Sequence, residues 1–161
     1  VSDALRLQAQ ELAKQTVESF GTHGLFGVEL FVTDNGDLLV NEVAPRAHNS
    51  GHHTIEACVT SQFENQLRAC LDLPLGATEL RGVALTANLV GEPGFVGTPV
   101  IEGLGELSQI PDAHIHLYGK DECRPGRKMG HLTLIGKNHD ELIQRLESVR
   151  NSLIVRGDTP R

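Results

Sequence analysis

Apolar residues in the first twenty positions recur at three- and four-residue steps. Leu5, Ala9, Leu12, Ala13, Val17 and Phe20 share one face of a helix that begins within three residues of Val1. That face needs a surface to lie against, and position 1 is not Met. The expectation is the C-terminal part of a longer protein, cut at a helix boundary. Gly21–Gly24 breaks the pattern, and two extended runs follow, Leu25–Thr33 and Asp37–Val43. Between them lies Asp34-Asn35-Gly36-Asp37, and Asn-Gly is a strong hairpin signal because both residues tolerate positive φ. Ala44–Thr54 has no usable period and reads as a loop. Ser61 and Glu64 have the spacing of a capping box. The helix they open carries an apolar face of Phe63, Leu67, Cys70 and Leu71, and Pro74 with Gly76 ends it.

From Arg81 the texture changes to alternation, with Val83, Leu85, Ala87 and Leu89 facing one way. Gly and Pro punctuate residues 91–111. Strands Ala113–Tyr118 and His131–Gly136 flank a basic turn, and a last helix runs from about Asn138 to Leu153. The predicted class is α+β. A boundary near Leu75–Leu80 divides 1–78, helices with an antiparallel hairpin, from 79–161, a small β-rich barrel- or sandwich-like unit closed by a helix.

A chain of 161 residues at 39% hydrophobic content can build a real core. With 14 basic and 21 acidic residues the net charge is −7, which argues against general nucleic-acid or anionic-membrane binding. No apolar run approaches the ~20 residues of a membrane span. Cys58, Cys70 and Cys123 are odd in number and form no CxxC pair. They read as buried thiols in a reducing compartment, and the cytoplasm is the default location.

Candidate chemistry concentrates in three places. If Asn35 and Gly36 form a two-residue loop, Asp34 faces Asp37 and, counting back, Glu29 faces Glu42. Opposed side chains share a face with Cβ atoms roughly 4.5–5.5 Å apart. Two carboxylates at ~4 Å repel by about 4 kcal/mol at an effective dielectric of 20. Phe31 and Val40 are the expected neighbours on that face. A divalent cation between the glutamates converts repulsion to coordination, and Mg²⁺ suits one or two carboxylates plus waters and phosphates. The alternative is an exposed hairpin end, and a three-residue loop would send the carboxylates to opposite faces.

Arg124-Pro125-Gly126-Arg127 has the signature of a type II turn, which brings its end Cα atoms within ~7 Å. Lys120 and Lys128 complete a local cationic cluster suited to a phosphate monoester. The alternative is a solvated turn that offsets Asp121 and Glu122. Directly after Glu42, the loop supplies Arg46, His48, Asn49 and His52. Zinc on His48, His52 and His53 is the weaker reading, because neither a cysteine nor an HExxH helix supports it. His114 and His116 alternate with Ile115 and Leu117, so they are expected exposed or interfacial. Walker A and GxGxxG motifs are absent.

Gly27-Val28-Glu29-Leu30-Phe31-Val32, followed by Asn41 through His52 (Asn-Glu-Val-Ala-Pro-Arg-Ala-His-Asn-Ser-Gly-His), resembles the end of an ATP-grasp domain. The resemblance is to the 5-(carboxyamino)imidazole ribonucleotide synthase family, the ATPase subunit of phosphoribosylaminoimidazole carboxylase in purine synthesis. Ser61-Gln62-Phe63-Glu64, Leu73-Pro74-Leu75, and Tyr118-Gly119-Lys120 through Arg124-Pro125-Gly126-Arg127-Lys128-Met129-Gly130-His131 match it in order. It implies the C-terminal half of an ATP-grasp domain followed by a small C-terminal domain. The implied reaction combines ATP, bicarbonate and aminoimidazole ribonucleotide to give the carboxyamino product, ADP and phosphate. By the same resemblance Glu29 and Glu42, with Asn41 beside them, hold Mg²⁺ (or Mn²⁺) on the ATP phosphates. Arg46 holds bicarbonate and then carboxyphosphate, while His48 and Asn49 line the pocket, His48 as candidate acid/base. Lys120 and Arg127, with Arg124 and Lys128 nearby, hold the ribonucleotide phosphate. A homodimer is implied as well. Family chains are more than twice this length and carry N-terminal domains, so the 161 residues alone are expected not to turn over.

Two rival readings stand beside this one. Formate-dependent glycinamide ribonucleotide transformylase shares the paired glutamates and Pro-Arg-x-His. A noncatalytic metal- or anion-binding module could keep the fold, but the presence of Glu29, Glu42, Arg46, Lys120 and Arg127 together argues against it.

Overall fold

A computed structural model describes residues 1–150 and 152–161. They divide into two compact units: Val1–Ile55 with Val59–Glu79, and Glu56–Cys58 with Leu80–Arg161.

In the first unit, α1 spans Asp3–Glu18, and its N-cap Ser2 accepts from Leu5 N at 3.2 Å. Leu5, Ala9, Leu12, Ala13 and Val17 are half-buried, as the spacing predicts, and so is Thr16, while Phe20 lies beyond the helix end and is exposed. The hairpin follows as β1 (Gly27–Val32) and β2 (Leu38–Ala44), antiparallel. Next come a 3₁₀ turn at Asn49–Gly51, inside the stretch expected to be irregular, and the short α2 (Thr54–Ala57), whose last two residues belong to the second unit. Both escape a period count because neither spans two turns.

The helix α3 (Gln62–Cys70) inverts its expected orientation. Ser61 caps it, accepting from Glu64 N at 3.2 Å, but Glu64 turns away to pair with Arg68, so only half of the capping box forms. Phe63, Leu67 and Leu71 are 40%, 64% and 66% exposed, and Cys70 is exposed too. The buried side chains are polar, Gln62 and Asn65. They are buried because neighbouring loops need partners: Asn65 accepts from Gly76 N at 2.8 Å and donates to its carbonyl at 3.3 Å. The helix stops before Pro74, at left-handed Asp72 (φ 55°), where Leu73 N returns to Arg68 O at 2.8 Å in a Schellman closure.

The second unit holds an open three-stranded sheet, β3 (Val83–Val90), β6 (Lys128–Gly136) and β5 (Ala113–Leu117), in the order β3-β6-β5. A separate ribbon pairs β4 (Phe95–Glu102) with β7 (Ile154–Pro160). Two further helices are α4 (Leu104–Leu107) and α5 (His139–Arg150). The sheets do not close, which corrects the barrel expectation: β3 and β5 remain edges. The alternating face of β3 is as read, with Leu85 opposite Leu134, Ala87 opposite Leu132, and Leu89 buried. Strand β6 is central and buried on both faces, Leu132 and Leu134 on one, His131 and Thr133 on the other. Leu107, Met129, Leu142, Cys123 and Val155 complete this core. The β4–β7 ribbon escapes the sequence reading because Gly97 (φ 107°) and Pro99 interrupt the alternation, where the pairing also shifts register. Burial raises the Cys123 and Cys58 thiol pKa values, partly countered by Arg127 and Arg81 respectively.

These burials set a contrast. Leu134→Ala should cost about 2–5 kcal/mol, whereas Leu67→Ala, on the open face of α3, should stay within ~0.5 kcal/mol. Urea denaturation of both variants checks this, and equal losses would contradict the core assignment.

Candidate functional site

The hairpin reaches the expected pairing by an unexpected route. Thr33 N donates to Asp37 O at 2.9 Å and Gly36 N to Thr33 O at 2.9 Å, so Asp34-Asn35-Gly36 is a three-residue loop. Near the turn, Leu30 faces Val40 and Phe31 faces Leu39, which makes Leu39, not Val40, the cross-strand neighbour of Phe31. Left regular, this register would bring Asn41 opposite Glu29. A bulge at Asn41 absorbs one residue, and Glu29 stands opposite Glu42. Both glutamates are exposed on the ribbon face. Asn41, the extra residue, donates from Nδ2 to Glu29 Oε2 at 3.3 Å.

Glu29 meets His48, whose Nε2 lies 3.4 Å from its Oε1. At the other ring nitrogen, Nδ1 is 2.9 Å from Ser50 Oγ and accepts from Ser50 N at 3.4 Å. With Nδ1 accepting, the proton of the neutral tautomer sits on Nε2, the nitrogen nearer Glu29. This proximity is a contact that the acid/base reading did not anticipate. Gly27 makes the approach possible, because a Cβ there would sit 2.6 Å from His48 Cβ.

The loop is held by α3. Gln62 grips His48 at both backbone groups, accepting from N at 3.0 Å and donating to O at 2.8 Å, and its amide also lies 3.0 Å from His52 Nδ1. Gln66 accepts from Ala47 N at 3.1 Å. Gly51 leaves room for the Gln62 amide. Arg46 is exposed, its NH1 donating to Ala47 O at 2.9 Å. Asn49 begins the 3₁₀ turn. The first unit thus assembles Glu29, Asn41, Glu42 and His48 on one hairpin and its following loop. Two carboxylates and an amide are hard donors that fit a divalent cation whose remaining ligands are phosphates and water. Among the described residues no trio of His, Cys, Asp or Glu forms a protein-only metal site, so the histidine zinc reading has no geometric basis.

The second unit carries the basic turn. Arg127 N donates to Arg124 O at 3.0 Å with Gly126 at φ 72°, the type II geometry expected. Gly91 clasps it from behind, donating to Arg127 O at 2.9 Å and accepting from Gly126 N at 2.8 Å. Lys120 Nζ donates to Lys128 O and lies 5.6 Å from the centre of the Tyr118 ring. Arg127 NH1 donates to Glu122 O at 3.0 Å and is 3.5 Å from Glu122 Oε2. Arg124 and Lys128 are exposed. His114 is exposed as expected, but His116 is not: it pairs with Glu56 and stacks on His131.

Comparison with known proteins bears on both units. The ATP-grasp domain family matches residues 1–63, and the phosphoribosylaminoimidazole carboxylase C-terminal domain family matches residues 84–145. The N5-carboxyaminoimidazole ribonucleotide synthase of Mycobacterium bovis is 48% identical over 147 residues, 90% of this chain and 34% of that protein. Over the length it shares with them, the chain is similar to the C-terminal part of the N5-carboxyaminoimidazole ribonucleotide synthases. The crystal structure of the Thermotoga maritima synthetase superposes with a TM-score of 0.90 at 45% identity, covering 98% of this chain and 44% of that one. The Aspergillus clavatus synthase, solved with ADP and 5-aminoimidazole ribonucleotide, gives 0.81 at 38% identity, covering 94% and 40%. The chain spans about a third of the length of the curated relatives it matches. No helix among the described residues is long and apolar enough to cross a membrane.

If the Gln62 amide is the clamp on the loop that carries His48, Gln62→Ala should cost about 1–3 kcal/mol. Hydrogen exchange at the His48 amide should accelerate along with that loss. Unchanged exchange would show that something else holds the loop.

Proposed function

We propose that this chain contributes the metal–phosphate seat and the substrate-phosphate turn of an ATP-grasp ligase. The reaction takes ATP, bicarbonate and 5-aminoimidazole ribonucleotide to N5-carboxyaminoimidazole ribonucleotide, ADP and phosphate, through carboxyphosphate. The observation that carries the reading is the opposed Glu29–Glu42 pair, followed within six residues by Arg46 and His48. Residues 1–78 would close the ATP-grasp domain, and 79–161 would form the C-terminal domain.

Glu29 and Glu42 would hold Mg²⁺, or Mn²⁺ in its place, for the nucleotide phosphates. Such an ion neutralises charge that builds on the transferred phosphoryl group. Asn41, which donates to Glu29, and His48, whose Nε2 lies 3.4 Å from it, would help to orient that carboxylate toward the ion. Arg46 would bind bicarbonate and then carboxyphosphate through a planar fork suited to both. Asn49 and His48 would line the pocket where the substrate amine attacks the carboxyphosphate carbon and phosphate leaves. Proton transfer by His48 would require its Nε2 to leave Glu29. Lys120 and Arg127 would take the ribonucleotide phosphate, which would displace Glu122 from Arg127, while Arg124 and Lys128 add to the local field. A cytoplasmic homodimer completes the proposal.

A transformylase acting on glycinamide ribonucleotide and formate is the second reading. The C-terminal domain family at residues 84–145 favours the carboxyamino synthase over it.

In the protein that carries this chain, phosphate release from Mg-ATP and bicarbonate should be stimulated by 5-aminoimidazole ribonucleotide. Arg127→Ala should raise KM for that nucleotide roughly tenfold or more, with KM for ATP little changed. Stimulation by glycinamide ribonucleotide and formate instead would transfer the assignment. Stimulation by neither would leave a binding module.

A further inference from the structure

A line of polar side chains runs from the interior of the second unit to the basic turn. It starts at Glu56, whose side chain is 9% exposed and whose Oε1 lies 2.5 Å from His116 Nε2. Its other oxygen is buried without a hydrogen-bond partner among the described residues. His116 stands directly opposite His131 across β5 and β6, and the two rings stack at 4.5 Å with planes 13° apart. His131 is 1% exposed, and its Nδ1 is 3.0 Å from Tyr118 Oη. Lys120 lies over the Tyr118 ring. Between Tyr118 and Lys120, Gly119 at φ 64° makes the bend that returns the lysine over the ring.

The consequence is positional. A lysine ammonium is a point charge on a flexible four-carbon stem with ~2 kcal/mol of rotamer entropy. Two contacts restrain this one: the Lys128 carbonyl and the face of Tyr118. The ring is restrained in turn by its hydroxyl on a histidine buried between two strands. Burial raises the Tyr118 pKa, and the hydroxyl shares a hydrogen bond with His131 Nδ1. None of these four residues has a role in the reaction as described above.

We propose that Tyr118 is a positioning residue for phosphate recognition, anchored by His131 and the His116–Glu56 pair behind it, and that it acts by holding Lys120 at the basic turn. The proposal rests on the reading of Lys120 and Arg127 as phosphate ligands.

Ribose 5-phosphate titrated into the 161-residue chain, followed by NMR, tests both levels. Tyr118→Phe removes one oxygen and keeps the ring. It should weaken binding about three- to tenfold in a chain that still folds, and the His131 Nδ1 resonance should lose its hydrogen-bond shift. Arg127→Ala should weaken binding at least as much. Loss with Arg127→Ala but binding within twofold of the parent for Tyr118→Phe would overturn the positioning role and leave the phosphate site standing. Unchanged binding in both Arg127→Ala and Lys120→Ala would overturn the phosphate site and the proposal with it. Should Tyr118→Phe fail to fold, the unmodified chain decides: ribose 5-phosphate should shift the His131 ring nitrogens, and no shift would overturn the proposal.

Discussion

Two carboxylates on adjacent strands can share a cation only if the register brings them opposite one another on one face. At ~4 Å their repulsion runs from about 1 kcal/mol in water to about 4 kcal/mol at an effective dielectric of 20. The exposed setting of this pair favours the low end of that range. That modest cost is affordable in a folded chain, and a divalent ion with phosphate ligands would reverse it. In this hairpin the register depends on one residue. The three-residue turn alone would put Asn41 opposite Glu29, and the bulge at Asn41 restores Glu42 to that position. The bulged residue then serves twice, because its amide also holds Glu29.

The second constraint is steric and polar. His48 reaches Glu29 because Gly27 has no side chain to obstruct it, and its backbone is fixed by an amide buried under α3. An amphipathic count finds α3 but turns it the wrong way. Gln62 and Asn65 are buried by their hydrogen bonds to loops distant in sequence, a need invisible to local periodicity. The apolar residues Phe63, Leu67 and Leu71 are left outward.

What was legible follows the same division. Periodic stretches such as α1 and β3 could be read because one face is more buried than the other, whereas β6, buried on both faces, could be read only as an extended run beside the basic turn. The Pro-Gly turn could be read from backbone chemistry alone, and Gly126 adopts the positive φ it implies. The β4–β7 ribbon could not, because Gly97 and Pro99 break its alternation and its partner strand lies far along the chain. At the site, residue types and order pointed to Glu29, Glu42, Arg46 and His48. The Glu29–Glu42 pairing was reached with the wrong loop length, since nothing local announces a bulge. The histidine cluster was missed for a related reason: His116 and His131 gain meaning only once β5 and β6 are paired and Glu56 packs against them.

The account stands or falls on the paired glutamates as a cation seat. Mn²⁺, standing in for Mg²⁺, can be titrated into the chain in the presence of ATP and followed by electron paramagnetic resonance. The account predicts nucleotide-dependent Mn²⁺ binding by the parent chain that is lost in the Glu29→Gln, Glu42→Gln double variant while the fold is retained. Equal binding by parent and double variant would contradict it.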